Sequence, residues 1–208
     1  MRLDPAGLPF IGGAVLLAVV CAAAAGWLLA IPFLVLGGFF AFFFRDPERP
    51  APARADAVIS PADGRVLVAG PAVASAAPPG AWQQVSIFLS PIDVHVNRIP
   101  ASGRVTKVSL TPGRFLPAYR HDAATVNERS EIWIDHAGQP IVARQIVGIL
   151  ARRVVCRVQE GADVRAGDRY GIMKFGSRMD VFLPTSAEIT VVVGQTVRGG
   201  ETVIAVLH

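Results

Sequence analysis

The sequence is poor in the residues that staple a protein or hold a metal. It has two cysteines in 208 residues, Cys21 and Cys156, far apart in the chain. They make no disulfide framework, and no Cys/His set has metal-ligand spacing, so a reducing compartment and no metal are expected. Net charge is modest, +4, and the basic residues are scattered. There is no basic stripe interleaved with aromatics, so nucleic acid is not an expected partner. Convincing amphipathic helices are missing after residue 45. The sharpest absence is local: from Phe10 to Phe44 there is no Asp, Glu, Lys, Arg, His, Asn or Gln.

That apolar block dominates the mean hydropathy of +0.45. About 35 residues of helix would reach roughly 50 Å, against a hydrocarbon core of about 30 Å. Pro32 interrupts the run, and Gly37-Gly38 loosens its second half. Two readings fit: a spanning helix from about Phe10 to Ala30 with a shorter interfacial helix, or a helical hairpin that enters and returns. A signal peptide is the rival, since Arg2 and the small residues Cys21 to Ala25 resemble one. A second apolar stretch, Ile31 to Phe44, stands where a mature soluble protein would begin. Arg45, Arg49 and Arg54 lie after the block and only Arg2 precedes it. The positive-inside bias therefore predicts a cell-membrane protein whose following domain is cytoplasmic. The net charge adds a weak affinity for anionic membrane lipid.

The sequence predicts three regions: 1–44, embedded in the membrane; 45–56, a Pro- and charge-rich linker; and 57–208, a mostly β domain. Strands are expected at Val85–Leu89, Arg104–Leu110, Glu131–Asp135, Ile141–Val147, Val154–Val158, Met179–Leu183, Glu188–Val193 and Thr202–Leu207. Residues 112–129 read as a loop with a short helix. One repeat is visible: Gly161 to Asp168 and Gly194 to Glu201 share the pattern G-x-x-V-R-x-G-[DE]. Each is a glycine-flanked turn feeding a strand. The pattern resembles the barrel-sandwich hybrid of biotinyl and lipoyl carrier domains.

Between the two turns lies Lys174-Phe175-Gly176-Ser177-Arg178-Met179-Asp180. Alone, a Gly-Ser step is an ordinary turn. Its company is not ordinary: FFFRDPERPAP after the block, VISPADGRV at 58–66, SIFLSPIDVHVNRIPASGRV at 86–105, NERSEIWI at 127–134 and GDRYGIMKFGSRMDVFLP at 167–184. On these segments the chain resembles the short, bacterial and archaeal type of phosphatidylserine decarboxylase.

The resemblance implies a zymogen that cuts itself between Gly176 and Ser177, giving fragments 1–176 and 177–208. In such a reaction Ser177 attacks the preceding carbonyl, the amide becomes an ester, and β-elimination with loss of ammonia leaves a covalent pyruvoyl cofactor on residue 177. That group forms a Schiff base with the amine of phosphatidylserine and draws electrons as carbon dioxide leaves, giving phosphatidylethanolamine. The implied partners are phosphatidylserine and a heterodimer of the two fragments, with a higher oligomer left open. His95 is the implied base or proton donor. Asp63 is the implied acid, to orient a histidine or to hold positive charge, though Ala-Asp-Gly is also a good turn. Longer members carry a second histidine three residues after the first. Arg98 stands there in this chain, a poor base but fit for a lipid phosphate or carboxylate. The group that activates Ser177 thus stays open between His95, a water and another residue. Asp93 pairs with His95 or caps the turn before it. His121, His136 and His208 match nothing in the family.

Two other readings compete. In a carrier module, Lys174 would bear the modification, Met173-Lys174 resembling the Met-Lys of biotinyl domains, and Ser177 would be inert. In a pseudoenzyme the fold would persist without cutting.

Overall fold

The computed structural model describes residues 2–120, 122–149, 154–174 and 177–208. The chain divides into two compact units, Met1–Glu48 and Arg49–His208.

The first unit is a helical hairpin. β1 (Arg2–Leu3) pairs antiparallel with β2 (Arg45–Asp46), so the chain leaves where it entered. Asp4 accepts a hydrogen bond from the Ala6 amide at 2.9 Å and starts a 3-10 turn that runs into α1 (Leu8–Ala25). The block breaks at Gly26, whose φ of +100° suits glycine, and not at Pro32. Pro32 sits in the first turn of α2 (Ile31–Phe43), where its missing N–H is no loss. Phe10 packs against Phe40 and Phe44, each 5.4 Å between ring centroids, and Gly37 lets α2 approach Ala14. The segment Pro5–Ala25, 21 residues long, is apolar and long enough to cross a membrane, by length and composition. The second apolar helical stretch, Trp27–Phe43, is shorter.

The second unit is mostly β. Its strands are β3 (Ala57–Ile59), β4 (Gly64–Pro71), β5 (Gln83–Leu89), β6 (Val96–Arg98), β7 (Gly103–Thr111), β8 (Arg129–His136), β9 (Gln139–Val147), β10 (Val154–Cys156), β11 (Asp163–Val164), β12 (Arg169–Met173), β13 (Ser177–Leu183), β14 (Glu188–Ile189), β15 (Thr196–Val197) and β16 (Val203–Val206). An antiparallel sheet runs β11-β7-β8-β9-β13-β5-β4-β15; two smaller sheets run β10-β12-β6 and β14-β16-β3. Among the described residues no sheet closes into a barrel. The loop expected after residue 111 carries one short helix, α3 (Ala123–Val126).

Alternation sorts the large sheet into two faces. Val85, Ile87 and Leu89 of β5, Ile141 and Ala143 of β9, and Met179, Val181 and Leu183 of β13 enter the main core. Ile146, of opposite parity, packs with Ala76 and Ala124 on the outer face.

The repeat is larger than the turn pattern suggests. Pro61-Ala62-Asp63-Gly64-Arg65-Val66 recurs as Pro100-Ala101-Ser102-Gly103-Arg104-Val105. Each copy holds one of the two matching turns. Val197 pairs with Gly64 and Val164 with Gly103. Val66 N–H donates to Gln195 O at 2.9 Å, and Val105 N–H donates to Ala162 O at 2.8 Å. Asp63 accepts the Gly199 N–H at 2.8 Å, and Ser102 Oγ accepts the Ala166 N–H at 2.9 Å. Gly64 and Gly103 are equivalent too: a Cβ on either would lie 2.1–2.2 Å from a carbonyl oxygen of the next strand. Two like units thus cap opposite edges of the large sheet.

Candidate active site

Ser177 opens β13, between the last residues of two neighbours: Leu89 of β5 and Val147 of β9. The segments that leave those strands therefore start beside it. One of them, after a turn, carries His95. The Met173 N–H donates to His95 O at 3.4 Å, so the histidine segment also lies against the strand that leads into Ser177. β4 begins at the same end, since Arg65 pairs with Phe88 and Phe88 with Arg178; this brings Asp63 to that end as well. Gly176, the other half of the expected cleavage bond, lies outside the described residues, as does His121.

Ser177 is fully buried, and its Oγ has no hydrogen-bond partner among the described residues. Its parity places it on the core face with Met179. A buried hydroxyl left unbonded is a net loss to folding. His95 is also fully buried. Its Nδ1 lies 2.9 Å from Asp93 O. A carbonyl can only accept, so Nδ1 carries a proton. The Asp93 carboxylate itself accepts the Ser90 N–H at 2.7 Å and closes the turn, as the turn reading anticipates.

Asp63 meets a cation. Arg49 holds its carboxylate with both Nη atoms, Nη2 at 2.8 Å from Oδ2, and Arg49 Nη1 also donates to Gly199 O at 2.7 Å. His95 is not among the described partners of Asp63. Of the two roles expected for this acid, holding positive charge is the one its contacts match. Arg98 is buried; its Nη1 donates to Gly167 O at 3.0 Å, and its stem lies over Gly200. Gly167 and Gly200 are the equivalent glycines of the two turns, so this one side chain touches both. His136 Nδ1 donates to Ser102 O, 2.7 Å away, and His208 lies 3.6 Å from Glu188.

Two further residues at this end are not singled out by the sequence: Asn97, inside the family-like segment 86–105, and Gln145, outside all of them. Asn97 Oδ1 accepts from Gln145 Nε2 at 2.8 Å, and both side chains are fully buried. Gln145 sits on the core face of β9, one step along from Val147 and diagonal to Ser177. Asn97 Nδ2 and Gln145 Oε1 have no partner among the described residues. Gly171 is hemmed in by backbone and amide alike: a Cβ there would lie 2.3 Å from Val155 O and 2.8 Å from Gln145 Nε2. The one sequence signal for them is a Gln at a core position in the apolar run Ile141–Val147.

The outer face of the same strands is also polar. Arg178 Nε donates to Asp180 Oδ1 at 2.6 Å and Nη2 to Ser86 Oγ at 3.0 Å; Gln84 Nε2 reaches both Ser86 and Asp180. Arg178 lines a cavity of about 260 Å³ with Val68, Val73, Ser75, Ala76, Asp122 and Thr125. A larger cavity, about 490 Å³, lies by Ile99 and Asp168, and Ser177, His95 and Asp63 do not line it.

Known proteins resemble the chain throughout. The family model for phosphatidylserine decarboxylase matches residues 36–205. A phosphatidylserine decarboxylase proenzyme of Nitrosomonas europaea is 41% identical over 203 residues, covering 97% of this chain and 94% of the relative. Another from Gluconobacter oxydans is 48% identical over 174 residues, covering 81% and 77%. A third from Nitratidesulfovibrio vulgaris is 42% identical over 206 residues, covering 99% and 94%. With the match running through both turn units, the His95 segment and Ser177, the chain belongs to the phosphatidylserine decarboxylase family of enzymes.

Proposed function

We propose that this protein converts phosphatidylserine to phosphatidylethanolamine with a pyruvoyl group that it makes from Ser177 by cutting itself at Gly176-Ser177. The observation that carries the reading is the buried Ser177 Oγ, which makes no described hydrogen bond at the head of β13. A structural serine in that position would be bonded. An unbonded one fits a group kept for chemistry, so the residues present suit a pyruvoyl on residue 177. Once formed, that group supplies a ketone that condenses with the substrate amine and draws electrons as carbon dioxide leaves.

The chain's own residues divide the remaining work. His95, with Nε2 as its basic nitrogen, takes the Ser177 proton and later returns a proton to the substrate carbon. Asp63 holds Arg49 at this end of the sheet. Arg98 is the cation on the histidine segment proposed for the phosphate or carboxylate of the lipid. The two fragments remain together because β13 is hydrogen-bonded on both sides to strands of the first fragment. The apolar hairpin suits attachment to the cell membrane, where the substrate lies, with the β domain on the cytoplasmic side.

The test uses the full chain and Ser177→Ala. Wild type is expected as two chains on a denaturing gel, the shorter with a blocked amino terminus by intact mass, and it should release carbon dioxide from phosphatidylserine vesicles. Ser177→Ala should stay whole and inactive. A wild type that stays whole and releases none would sink the proposal.

A further inference from the structure

The Asn97–Gln145 pair takes no part in the roles given to His95, Asp63 and Arg98, yet it is built like a site. Both side chains are fully buried, and each keeps a polar atom without a described partner. Turning both amides over, to exchange N for O, would change nothing essential. In either orientation one NH₂ donates to the other amide's oxygen. One carbonyl and one NH₂ are then left over, so the pair always offers a neutral donor and a neutral acceptor.

Position aims this offer at Ser177. Gln145 and Ser177 stand on the core face of adjacent strands, diagonal to one another across the β9–β13 register. Diagonal neighbours have Cβ atoms about 7–8 Å apart, within reach of a long side chain. Asn97 is two residues from His95 and opposite Gly171 of β12, which has no side chain to intervene. Hence an unbonded hydroxyl, a spare amide donor and the histidine that would serve as base share one buried region.

We propose that the spare NH₂ of this pair stabilises the oxyanion of the self-cleavage reaction, an assignment that rests on the proposed function. In that step Ser177 Oγ bonds to the Gly176 carbonyl carbon while its proton passes to His95 Nε2. The carbonyl π pair moves onto oxygen. Collapse of the oxyanion breaks the C–N bond, and the nitrogen takes up the proton, so that an amide becomes an ester with no atom gained or lost. The negative charge appears one residue from Ser177, and Ser177, Asn97 and Gln145 are all fully buried. There a fixed neutral donor acts strongly, and removing one such donor slows related reactions about 10²–10³-fold.

The test tracks cleavage of the full chain made by cell-free synthesis in detergent. Asn97→Asp keeps the size but leaves the pair a single NH₂, which the new carboxylate engages, so in either orientation the spare donor is gone. Gln145→Met removes the partner that orients Asn97. In chains that fold, as judged by circular dichroism and gel filtration against Ser177→Ala, we expect Asn97→Asp to cut about 10²-fold more slowly than wild type and Gln145→Met to cut measurably more slowly. Hydroxylamine, which cleaves esters, should not speed either, because the ester itself forms slowly. Wild-type cleavage rates in both folded variants would overturn the proposal. So would prompt cutting by hydroxylamine, which places the defect after the ester. If Asn97→Asp does not fold, Gln145→Met decides by the same two readouts. Failure of wild type to cut at all would instead strike the function itself.

Discussion

β13 carries two polar clusters back to back. On its outer face Arg178, Asp180, Ser86 and Gln84 are bonded to one another, and Gln84 Oε1 accepts the Val73 N–H as well. On its core face Ser177, Asn97 and Gln145 each keep a buried atom without a described partner. The outer cluster is built on an ion pair and the core one is neutral, and both are buried. Satisfaction separates them. A closed network fixes a strand in place, since each member is costly to remove. An open one gives up stability and keeps donors and acceptors for another group. Under the proposed function, the two faces of a single strand divide the tasks of holding and reacting.

The outer face gives the largest effect. Asp180→Leu would strand the buried Arg178 guanidinium, whose side chain is 5% exposed, and breaking such a pair costs about 3–5 kcal/mol. Measured in the uncut Ser177→Ala background by urea unfolding in detergent, the midpoint should fall sharply. A loss below about 1 kcal/mol would mean that the outer cluster holds nothing, and the contrast between faces would go.

The two turn units grade the same idea. Asp63 and Ser102 occupy equivalent places and accept equivalent N–H groups, but Asp63 also binds Arg49. Ser102→Ala should cost about 1 kcal/mol, one ordinary hydrogen bond. Asp63→Ala should cost about 3 kcal/mol, because it also leaves Arg49, 10% exposed, without its carboxylate. Equal losses in the same unfolding assay would remove the Arg49 pair as a clamp.

Much of this arrangement is legible in the sequence. Alternating apolar runs predict β5, β7, β8, β9 and β13, because a half-buried strand writes its period into the sequence. β4, eight residues long, is not predicted, nor are the short strands β3, β6, β11 and β15. Two or three residues hold no period, and these short strands exist only because the repeat units dock. The turn halves of the repeat stand out in the sequence, but the Pro-Ala-x-Gly-Arg-Val halves do not. Each of those lies inside a longer family-like segment, and only the pairing of Gly64 with Val197 and Gly103 with Val164 shows them to be equivalent. In the site, Ser177, His95 and Asp63 are carried by family-like segments. Arg49 reads as linker, since its role depends on a carboxylate 14 residues away. Asn97 and Gln145 are hidden because a buried amide pair has no sequence spacing; it depends on β6 crossing the core face of β9.

The smallest effect tests the core face by pH. Tyr170 is fully buried and, among the described residues, its hydroxyl meets a weak acceptor, Met179 Sδ at 3.7 Å, two residues from Ser177. Burial, with Cys156 adding to it, raises the phenol well above its ordinary value of 10.0. The folded state therefore keeps this proton after the unfolded state has lost it. Stability from this group is intact below about pH 10 and declines above it by about 1.4 kcal/mol per pH unit until the folded phenol also ionises. Tyr170→Phe deletes that slope and should leave neutral stability within about 1 kcal/mol, because a thioether is a poor acceptor. Urea unfolding at pH 7, 10 and 11 reads both numbers. A larger loss at pH 7 would mean that this hydroxyl is firmly bonded. The core face would then be no looser than the outer one, and an unbonded Ser177 would lose its meaning as a mark of function.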